Sequence, residues 1–287
     1  MSTSTVTPNA KAAPPRTLPG LLGWTRASYV LMSLFAVLVF IIIVVWWPLA
    51  VDYLATADPR YPLWLQLDWL LLGVFAAMSL LIMARPDLKA DALIVLIGFA
   101  GGLVIESWGT QTNLWRYYTH ERPPLWIIPA WPIASLAIDR LFRALGRLFP
   151  AAEARRPGAY QGLYWLIFLT FYALMLAFVW PTMEKSLTLA ALVLCAVLIA
   201  TPTDYRAATL TFLAGAGLGY FLELWGTTRA CWTYYTLETP PLFAVLAHGM
   251  AAVAFWRVNL LWRCLVRPEG LVGRRLRRPV APEAAEG

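Results

Sequence analysis

Residues 106–124 read ESWGTQTNLWRYYTHERPP, and residues 223–241 read ELWGTTRACWTYYTLETPP. The two stretches lie 117 residues apart and carry the same amino acid at 11 of 19 positions. A fixed offset between similar segments is typical of a duplicated structural unit. The same offset relates residues further out, pairing Gly98 with Gly215, Gly102 with Gly219, and Arg140 with Arg257. The sequence therefore predicts two copies of one unit.

The composition around these stretches is that of a membrane protein. The chain is 60% hydrophobic and 14% charged, contains 15 Trp and has a mean hydropathy of +0.63. These values exclude an ordinary soluble domain. Eight apolar stretches reach or approach the length that crosses a hydrocarbon core about 30 Å thick: 28–50, 64–84, 92–113, 124–146, 160–180, 186–201, 207–228 and 241–264. The predicted fold class is all-α, a polytopic membrane helix bundle of about eight transmembrane helices.

Each copy of the repeated stretch belongs to a group of four apolar stretches, so both copies have the same orientation across the membrane. Such units are parallel repeats, related by an axis along the membrane normal. The predicted organisation is a disordered cytoplasmic tail at 1–25, a four-helix repeat at 26–150, a second at 151–267, and a basic cytoplasmic tail at 268–287.

Basic residues set the predicted orientation. Of the 23 Lys and Arg residues, 18 fall on the side of the predicted bundle that carries both termini. Because cytoplasmic loops carry the excess of Lys and Arg, both termini are expected in the cytoplasm, with the chain in the inner (plasma) membrane. The net charge of +7 is then mainly a topology signal, and no nucleic-acid-binding motif accompanies it.

Two carboxylates are the candidate chemical groups, because Glu106 and Glu223 stand near the ends of apolar stretches, where a charge is expensive. Helical rise places Glu106 roughly 22 Å from the start of its span. His248 falls at a similar depth in the last span, where the first copy has Trp131. A Glu–His pair can move protons near neutral pH. The candidate catalytic residues are therefore Glu106, Glu223 and His248; the alternative is carboxylates that only hydrogen-bond a Tyr or Trp of the other copy.

Aromatic residues follow both carboxylates, and two interpretations stay open. The residues form an interfacial belt, or they line the mouth of a lipid-sized cleft. On the second interpretation, the candidate substrate-binding residues are Trp108, Tyr117, Tyr118, Trp225, Tyr234 and Tyr235. The expected partner is a membrane lipid or isoprenoid substrate. No cofactor is implied, and no closely spaced Cys, His, Asp or Glu residues indicate a metal site.

Prolines, glycines and capping residues predict where helices begin and end. Pro48 is expected to end the first helix, and Pro123-Pro124 to begin the fourth. Gly109 and Gly226 are expected to end the third and seventh helices in a left-handed turn. Asp91 is expected to cap the start of the third helix, and Thr203 the start of the seventh.

Two further expectations concern contacts between helices. Glycines four residues apart let membrane helices approach closely, so the pairs Gly98/Gly102 and Gly215/Gly219 are expected to bring the third and seventh helices together. The three cysteines fall at different predicted depths and are expected to be free thiols.

A family resemblance rests on one set of residues in the first copy: Glu106-x-x-Gly109-x-x-Thr112, Tyr117-Tyr118-Thr119, Pro124, and Ile128-Pro129 before Trp131. This pattern resembles membrane carotenoid hydratases of the bisanhydrobacterioruberin hydratase type. The resemblance implies a polytopic enzyme that adds water across an isoprenoid double bond.

Three classes of function remain open on the sequence. The first is a membrane enzyme that acts on a long apolar lipid, with Glu106 or Glu223 as the acid and His248 as its relay. The second is a transporter with the paired carboxylates on a central pathway. The third is a non-catalytic assembly or scaffold subunit whose Trp-rich faces pack on lipid or pigment.

Overall fold

The computed structural model describes residue 20 and residues 23–150 and 157–266. Within these residues the chain forms eight α-helices and one two-stranded sheet. Their bounds in chain order are α1 Arg26–Ala55, α2 Trp69–Met83, α3 Leu88–Gln111, β1 Trp115–Tyr117, α4 Ala130–Leu148, α5 Pro157–Val179, α6 Ser186–Ile199, α7 Tyr205–Thr228, β2 Trp232–Tyr234 and α8 Leu242–Val266. The basic tail at 268–287 and most of the tail at 1–25 lie outside the described residues.

The helical prediction is confirmed, and several helices have the dimensions of membrane spans. Helices α1, α3, α7 and α8, and α5 with the turn that follows it, are long and apolar enough to cross a membrane. Helices α2 and α6 have 15 and 14 residues, fewer than the roughly 20 that cross a bilayer upright. The structure therefore has five candidate spans in its described part, and the count of eight spans and the repeat boundaries stay predictions.

Three aspartates cap helices at their N-termini, and the predicted caps are wrong. The Asp87 carboxylate accepts hydrogen bonds from the first backbone N–H groups of α3, and Asp204 does the same for α7. These two residues are 117 positions apart. Asp91 lies one turn inside α3, where its side chain is directed instead at Arg140. Asp68 caps α2.

Proline does not mark the helix ends in the expected way. Helix α1 continues through Pro48 to Ala55, because a proline near the end of a long helix removes only one backbone hydrogen bond. Helix α4 begins at Ala130 rather than at Pro124. A helix that began at Pro124 would need an N–H from Pro129, which has none. In the second half the position equivalent to Pro129, 117 residues later, is Leu246, which has a backbone N–H. Helix α8 therefore begins earlier in its half than α4 does, at Leu242.

The centre of the bundle consists of α3, α4, α7 and α8. Helix α3 packs mainly on α4 and α7 on α8, while α4 also contacts α7 and α3 contacts α8. The glycines make these close approaches: a Cβ added at Gly98 would lie 2.9 Å from Pro132 Cα, and one at Gly215 would lie 2.9 Å from the His248 carbonyl. The predicted meeting of α3 with α7 is wrong, because the glycine face of each helix lies against the helix that follows it, α4 or α8.

A short sheet joins the two repeated stretches outside the helices. Strands β1 and β2 pair antiparallel, with Trp115 opposite Tyr234 and Tyr117 opposite Trp232. The pairing buries the aromatic side chains between the strands and the ends of α3 and α7. Because it joins segments far apart in sequence, no local pattern of the chain predicts it.

One ion pair is buried where α3 meets α4. The Arg140 guanidinium donates from Nη2 to Asp91 Oδ2 at 2.6 Å and from Nη1 to Asp91 Oδ1 at 2.9 Å. Both side chains are almost fully buried. Arg257 stands 117 residues after Arg140, but Ala208 stands where Asp91 would, so this ion pair exists in one half only.

Candidate active site

Glu106 is buried and is held by three donors from its own half of the chain. Its Oε2 accepts from Trp115 Nε1 at 3.0 Å. Its Oε1 accepts from the Tyr117 hydroxyl at 2.8 Å and from Trp131 Nε1 at 3.1 Å. The side chain is not directed at the other half, as one alternative from the sequence expected.

Glu223 has the corresponding contacts with one change. Its Oε2 accepts from Trp232 Nε1 at 2.9 Å, and its Oε1 from the Tyr234 hydroxyl at 2.9 Å. The third partner is His248, whose Nε2 lies 2.9 Å from Oε1. Glu106 and Glu223 are each 3% exposed. The partners lie 9, 11 and 25 residues after the carboxylate in both halves.

The third partner gives the two carboxylates different chemistry. An indole N–H can only donate, so Trp131 can stabilise a negative charge on Glu106 but cannot take a proton from it. An imidazole nitrogen donates or accepts according to its protonation state. A proton can therefore lie on either His248 Nε2 or Glu223 Oε1, and it can move between them over 2.9 Å. Of the two carboxylates, Glu223 is the one in hydrogen-bond contact with an imidazole.

Glycines on the same helix face make room for these partners. Gly102 and Gly109 lie four residues before and three after Glu106, which places all three on one face of α3. A Cβ at Gly109 would lie 1.9 Å from the Trp115 ring, and one at Gly102 would lie 2.3 Å from the Trp131 ring. Gly219 and Gly226 flank Glu223 in the same way, against His248 and Trp232. The aromatic partners thus lie directly on the helix backbone.

The expected helix exits at Gly109 and Gly226 are wrong for the same reason. Both glycines lie inside their helices, which continue to Gln111 and Thr228. The left-handed residues come later, at Asn113 with φ of 62° and at Ala230 with φ of 54°. Glycine is needed at 109 and 226 for the close approach of an indole ring, not for a turn.

Replacing Gly226 by alanine is expected to destabilise the protein by about 1–3 kcal/mol, because the new methyl group overlaps the Trp232 ring, 2.0 Å away, and pushes the indole off Glu223. Gly217 lies on the same helix with no atom within 4 Å of an added Cβ. Gly217→Ala is therefore the matched control, and it should raise stability by about 0.5–1 kcal/mol. Thermal unfolding of both purified variants measures the difference. Equal unfolding temperatures would show that the indole moves aside at no cost.

Both carboxylates face one apolar cavity of about 520 Å³ in the middle of the bundle. All eight helices contribute to its lining, which is otherwise aliphatic and aromatic apart from His248 and the polar atoms of the Tyr and Trp residues. The cavity reaches the outside of the bundle, since its lining residues Leu96, Val104 and Leu194 are 60%, 52% and 49% exposed. Its volume lies in the range of small-molecule binding sites.

The aromatic residues predicted from the sequence separate into two groups. Those that line the cavity are Trp108, Tyr117, Trp225 and Tyr234. Tyr118 and Tyr235 do not line it; their hydroxyls donate to the carbonyls of Val45 in α1 and Phe178 in α5. Tyr117 and Tyr234 are buried, so the interfacial-belt interpretation does not describe them.

Sequence reasoning missed Trp115 and Trp232 as site residues, although both lie in the repeated stretch. Their indoles donate to the carboxylates and line the cavity. It also treated Trp131 only as the counterpart of His248. The spacing Gly-x-x-x-Glu-x-x-Gly on one helix face, present in both α3 and α7, was the available signal that bulky side chains lie against the backbone beside each Glu.

Side chains also cross from one half of the chain to the other near the site. Asp68, the cap of α2, accepts from Trp225 Nε1 at 2.8 Å and pairs with Arg229 Nε at 2.9 Å. Lys185 stands 117 residues after Asp68 and donates to the Thr112 carbonyl at 3.2 Å.

The described part of the chain shows no cluster of metal ligands at the site. Across residues 23–150 and 157–266, no group of three or more His, Cys, Asp or Glu side chains is placed to hold a metal ion. All three cysteines are free thiols, as predicted. Comparison of the chain with protein-family models, curated proteins and solved structures finds no match.

Proposed function

We propose that this chain is an integral membrane enzyme that acts on a long apolar lipid, an isoprenoid or a carotenoid, by acid–base chemistry. One observation carries the proposal: a hydrogen-bonded Glu–His pair, buried Glu223 with half-buried His248, lies at the wall of an apolar cavity that reaches the outside of the bundle. A lipid can enter such a cavity sideways from the bilayer. The cavity offers it few polar groups except those around the two carboxylates.

In the proposed reaction Glu223 gives its proton to one carbon of a double bond, and the π electrons form the new C–H bond. The cation left on the other carbon bonds to the oxygen of a water molecule, and a proton of that water returns to Glu223. One water is thereby added across one double bond, which is the reaction that the family resemblance implies. His248 exchanges the proton with Glu223 through Nε2.

The residues around the double bond suit a cationic intermediate. Trp115, Tyr117, Trp232 and Tyr234 line the cavity, and the faces of aromatic rings attract cations. Glu106 accepts from two indole N–H groups and so holds both rings in place. In this proposal Glu106 positions the aromatic residues beside the cation, and Glu223 is the acid.

The proposal includes the arrangement predicted from the sequence: two related four-helix halves, eight crossings and both termini in the cytoplasm. Its support is the recurrence of the same carboxylate contacts after 117 residues and the excess of Arg at the ends of α4 and α8. The short helices α2 and α6 would cross only part of the bilayer as helices, with their flanking loops completing the span.

The orientation has a direct check in Cys264, an exposed native thiol near the end of α8. We expect a membrane-impermeant maleimide to modify Cys264 in inside-out vesicles and not in intact spheroplasts. Cys231 and Cys195 are buried and half-buried and serve as unreactive references in the same sample. Modification of Cys264 in intact spheroplasts would reverse the orientation.

The test of the function is a comparison of extracted lipids from cells with and without the chain, supplied with candidate isoprenoids. A hydrated isoprenoid that appears only with the chain supports the enzyme. Unchanged lipids together with altered solute uptake would support the transporter instead. Unchanged lipids and unchanged uptake would leave the assembly subunit as the better account.

A further inference from the structure

A second, smaller cavity of about 90 Å³ lies behind the site, between α4 and α8. His248 and Trp131 line both this cavity and the large apolar one. Their rings stack with centroids 5.8 Å apart and planes 18° apart, so together they form a wall between the two spaces. On the far side of the wall the lining includes five polar residues, Ser135, Asp139, Thr211, His248 and Asn259.

The small cavity extends from His248 towards the Arg-rich end of the bundle. Asn259 follows His248 by 11 residues on α8, which corresponds to about 16 Å along the helix. Asp139 follows Trp131 by eight residues on α4, about 12 Å. At that end Asp139 pairs with Arg143 at 2.8 Å, and Asn259 accepts from Arg263 at 2.6 Å. The polar lining therefore begins among charged groups and ends at the imidazole.

One hydroxyl in this cavity lacks a partner. Thr211 is 4% exposed, and its Oγ1 is buried without a hydrogen-bond partner among the described residues. A buried hydroxyl normally has a protein or water partner, because an unsatisfied one costs about 1–3 kcal/mol. The volume of the cavity has room for about three water molecules. Thr209, two residues earlier on the same helix, instead donates to the Tyr205 carbonyl at 2.8 Å.

His248 has a nitrogen available for such water. Its hydrogen bond to Glu223 uses Nε2, and within the described chain no bond to Nδ1 is formed. A neutral imidazole that takes a proton at Nδ1 and releases one from Nε2 passes a charge through the ring. Trp131, on the other half of the wall, cannot do this, since its only ring N–H points to Glu106.

We propose that the small cavity is a water-filled proton path from the Arg-rich side of the membrane to Glu223. Thr211 binds water in this path, and His248 passes the proton into the apolar substrate cavity. A hydronium ion gives its proton to Nδ1, and the Nε2 proton goes to Glu223. The reverse sequence returns a proton to water. This proposal rests on the proposed function: hydration returns a proton to Glu223 in each cycle, and the path restores the proton whenever Glu223 has lost it to water.

Access of water to the small cavity can be tested with Ag⁺ and needs no activity assay. Ag⁺ is a small ion that moves through water-filled paths and binds thiolate. Thr211→Cys places a thiol on the path, and Thr209→Cys is the matched control on the same helix. Vesicles of known orientation are exposed to Ag⁺ on one side, denatured and alkylated, and the alkylated fraction at each position is read by mass spectrometry. Exposed Cys264 reports that Ag⁺ was present on the Arg-rich side.

The expected result is that Ag⁺ on the Arg-rich side blocks more than nine-tenths of Cys at position 211 and of Cys264, and leaves Cys at position 209 free. An unblocked thiol at 211 with a blocked Cys264 overturns the proposal. Blocking of 211 and 209 alike also overturns it, because it would reflect general opening of the helix. Equal unfolding temperatures for the two variants are required before the comparison.

A second measurement links the path to turnover. Thr211→Val removes the hydroxyl with almost no change of shape, and we expect about a tenfold lower turnover at unchanged KM, restored by Thr211→Ser. The two proposals fail separately. If Glu223→Gln is inactive while the thiol introduced by Thr211→Cys stays unblocked, the water path is wrong and Glu223 remains supported as the acid. If 211 is blocked but Glu223→Gln is fully active, the path exists and the proposed function is wrong.

Discussion

Replacing Glu223 by glutamine is expected to lower turnover by about 10²–10⁴-fold, the range typical of general acid–base catalysis. Glutamine keeps the size of the side chain; its carbonyl oxygen can still accept from Trp232, while its NH2 group can donate to the Tyr234 hydroxyl. It cannot hold the exchangeable proton that Glu223 shares with His248. The measurement is hydrated product formed per folded protein in membranes. KM should change little, because the cavity keeps its shape.

The first half supplies the control for this result. Glu106→Gln removes the same carboxylate from a site whose third partner is Trp131 instead of His248. The loss per folded protein should be smaller than for Glu223→Gln, because Glu106 positions its aromatic partners and supplies no proton, although the amide leaves one indole N–H without an acceptor. His248→Gln should approach the Glu223→Gln defect. An inactive Glu106→Gln beside an active Glu223→Gln would exchange the roles of the two halves.

Replacing Asp91 by alanine is expected to destabilise the protein by about 3–5 kcal/mol, the usual cost of breaking a buried ion pair by removing one partner. Arg140 is 5% exposed and would keep only its bonds to the Ala84 carbonyl and to Asp139. Its charge would then be poorly compensated between α3 and α4. Thermal or denaturant-induced unfolding in a mild detergent provides the measurement.

Two variants separate this ion pair from a general effect of mutation. Arg143 is 36% exposed at its side chain and pairs with Asp139, so Arg143→Ala should change stability by no more than about 1 kcal/mol. The double variant Asp91→Ala/Arg140→Leu removes both charges and should recover most of the loss, since an apolar replacement of a buried pair is often neutral. A double variant as unstable as Asp91→Ala would mean that Asp91 acts through its bond to the Asp87 N–H instead.

The second half indicates that the fold can do without this pair. Ala208 stands where Asp91 would be, and Arg257 donates only a long bond of 3.4 Å to Thr203. Arg257 is half-buried, in contrast to Arg140, so water can solvate part of its guanidinium. The structural role of Asp91 therefore depends on how deeply Arg140 is enclosed.

The amino-acid sequence by itself determined the helical class, the approximate position of each helix and the burial of Glu106 and Glu223. Those features depend on hydropathy along the chain, which is local, and on the 117-residue offset, which can be counted. Helix ends were less predictable. Pro48 lies inside α1 because the one backbone hydrogen bond that it removes does not end so long a helix, and Gly109 makes room for an indole ring instead of forming a turn.

Only the tertiary structure decided what holds each carboxylate. Trp115 and Trp131 reach Glu106 because strand pairing folds the loop back and α4 packs along α3. The glycine spacing indicates that bulky side chains lie beside each Glu but does not identify them, since an aromatic residue after a membrane helix is equally suited to the interface with lipid headgroups. The same holds for the cavity and for the wall of Trp131 and His248. Both arise where all the helices meet, a property of packing that no single segment of the chain carries.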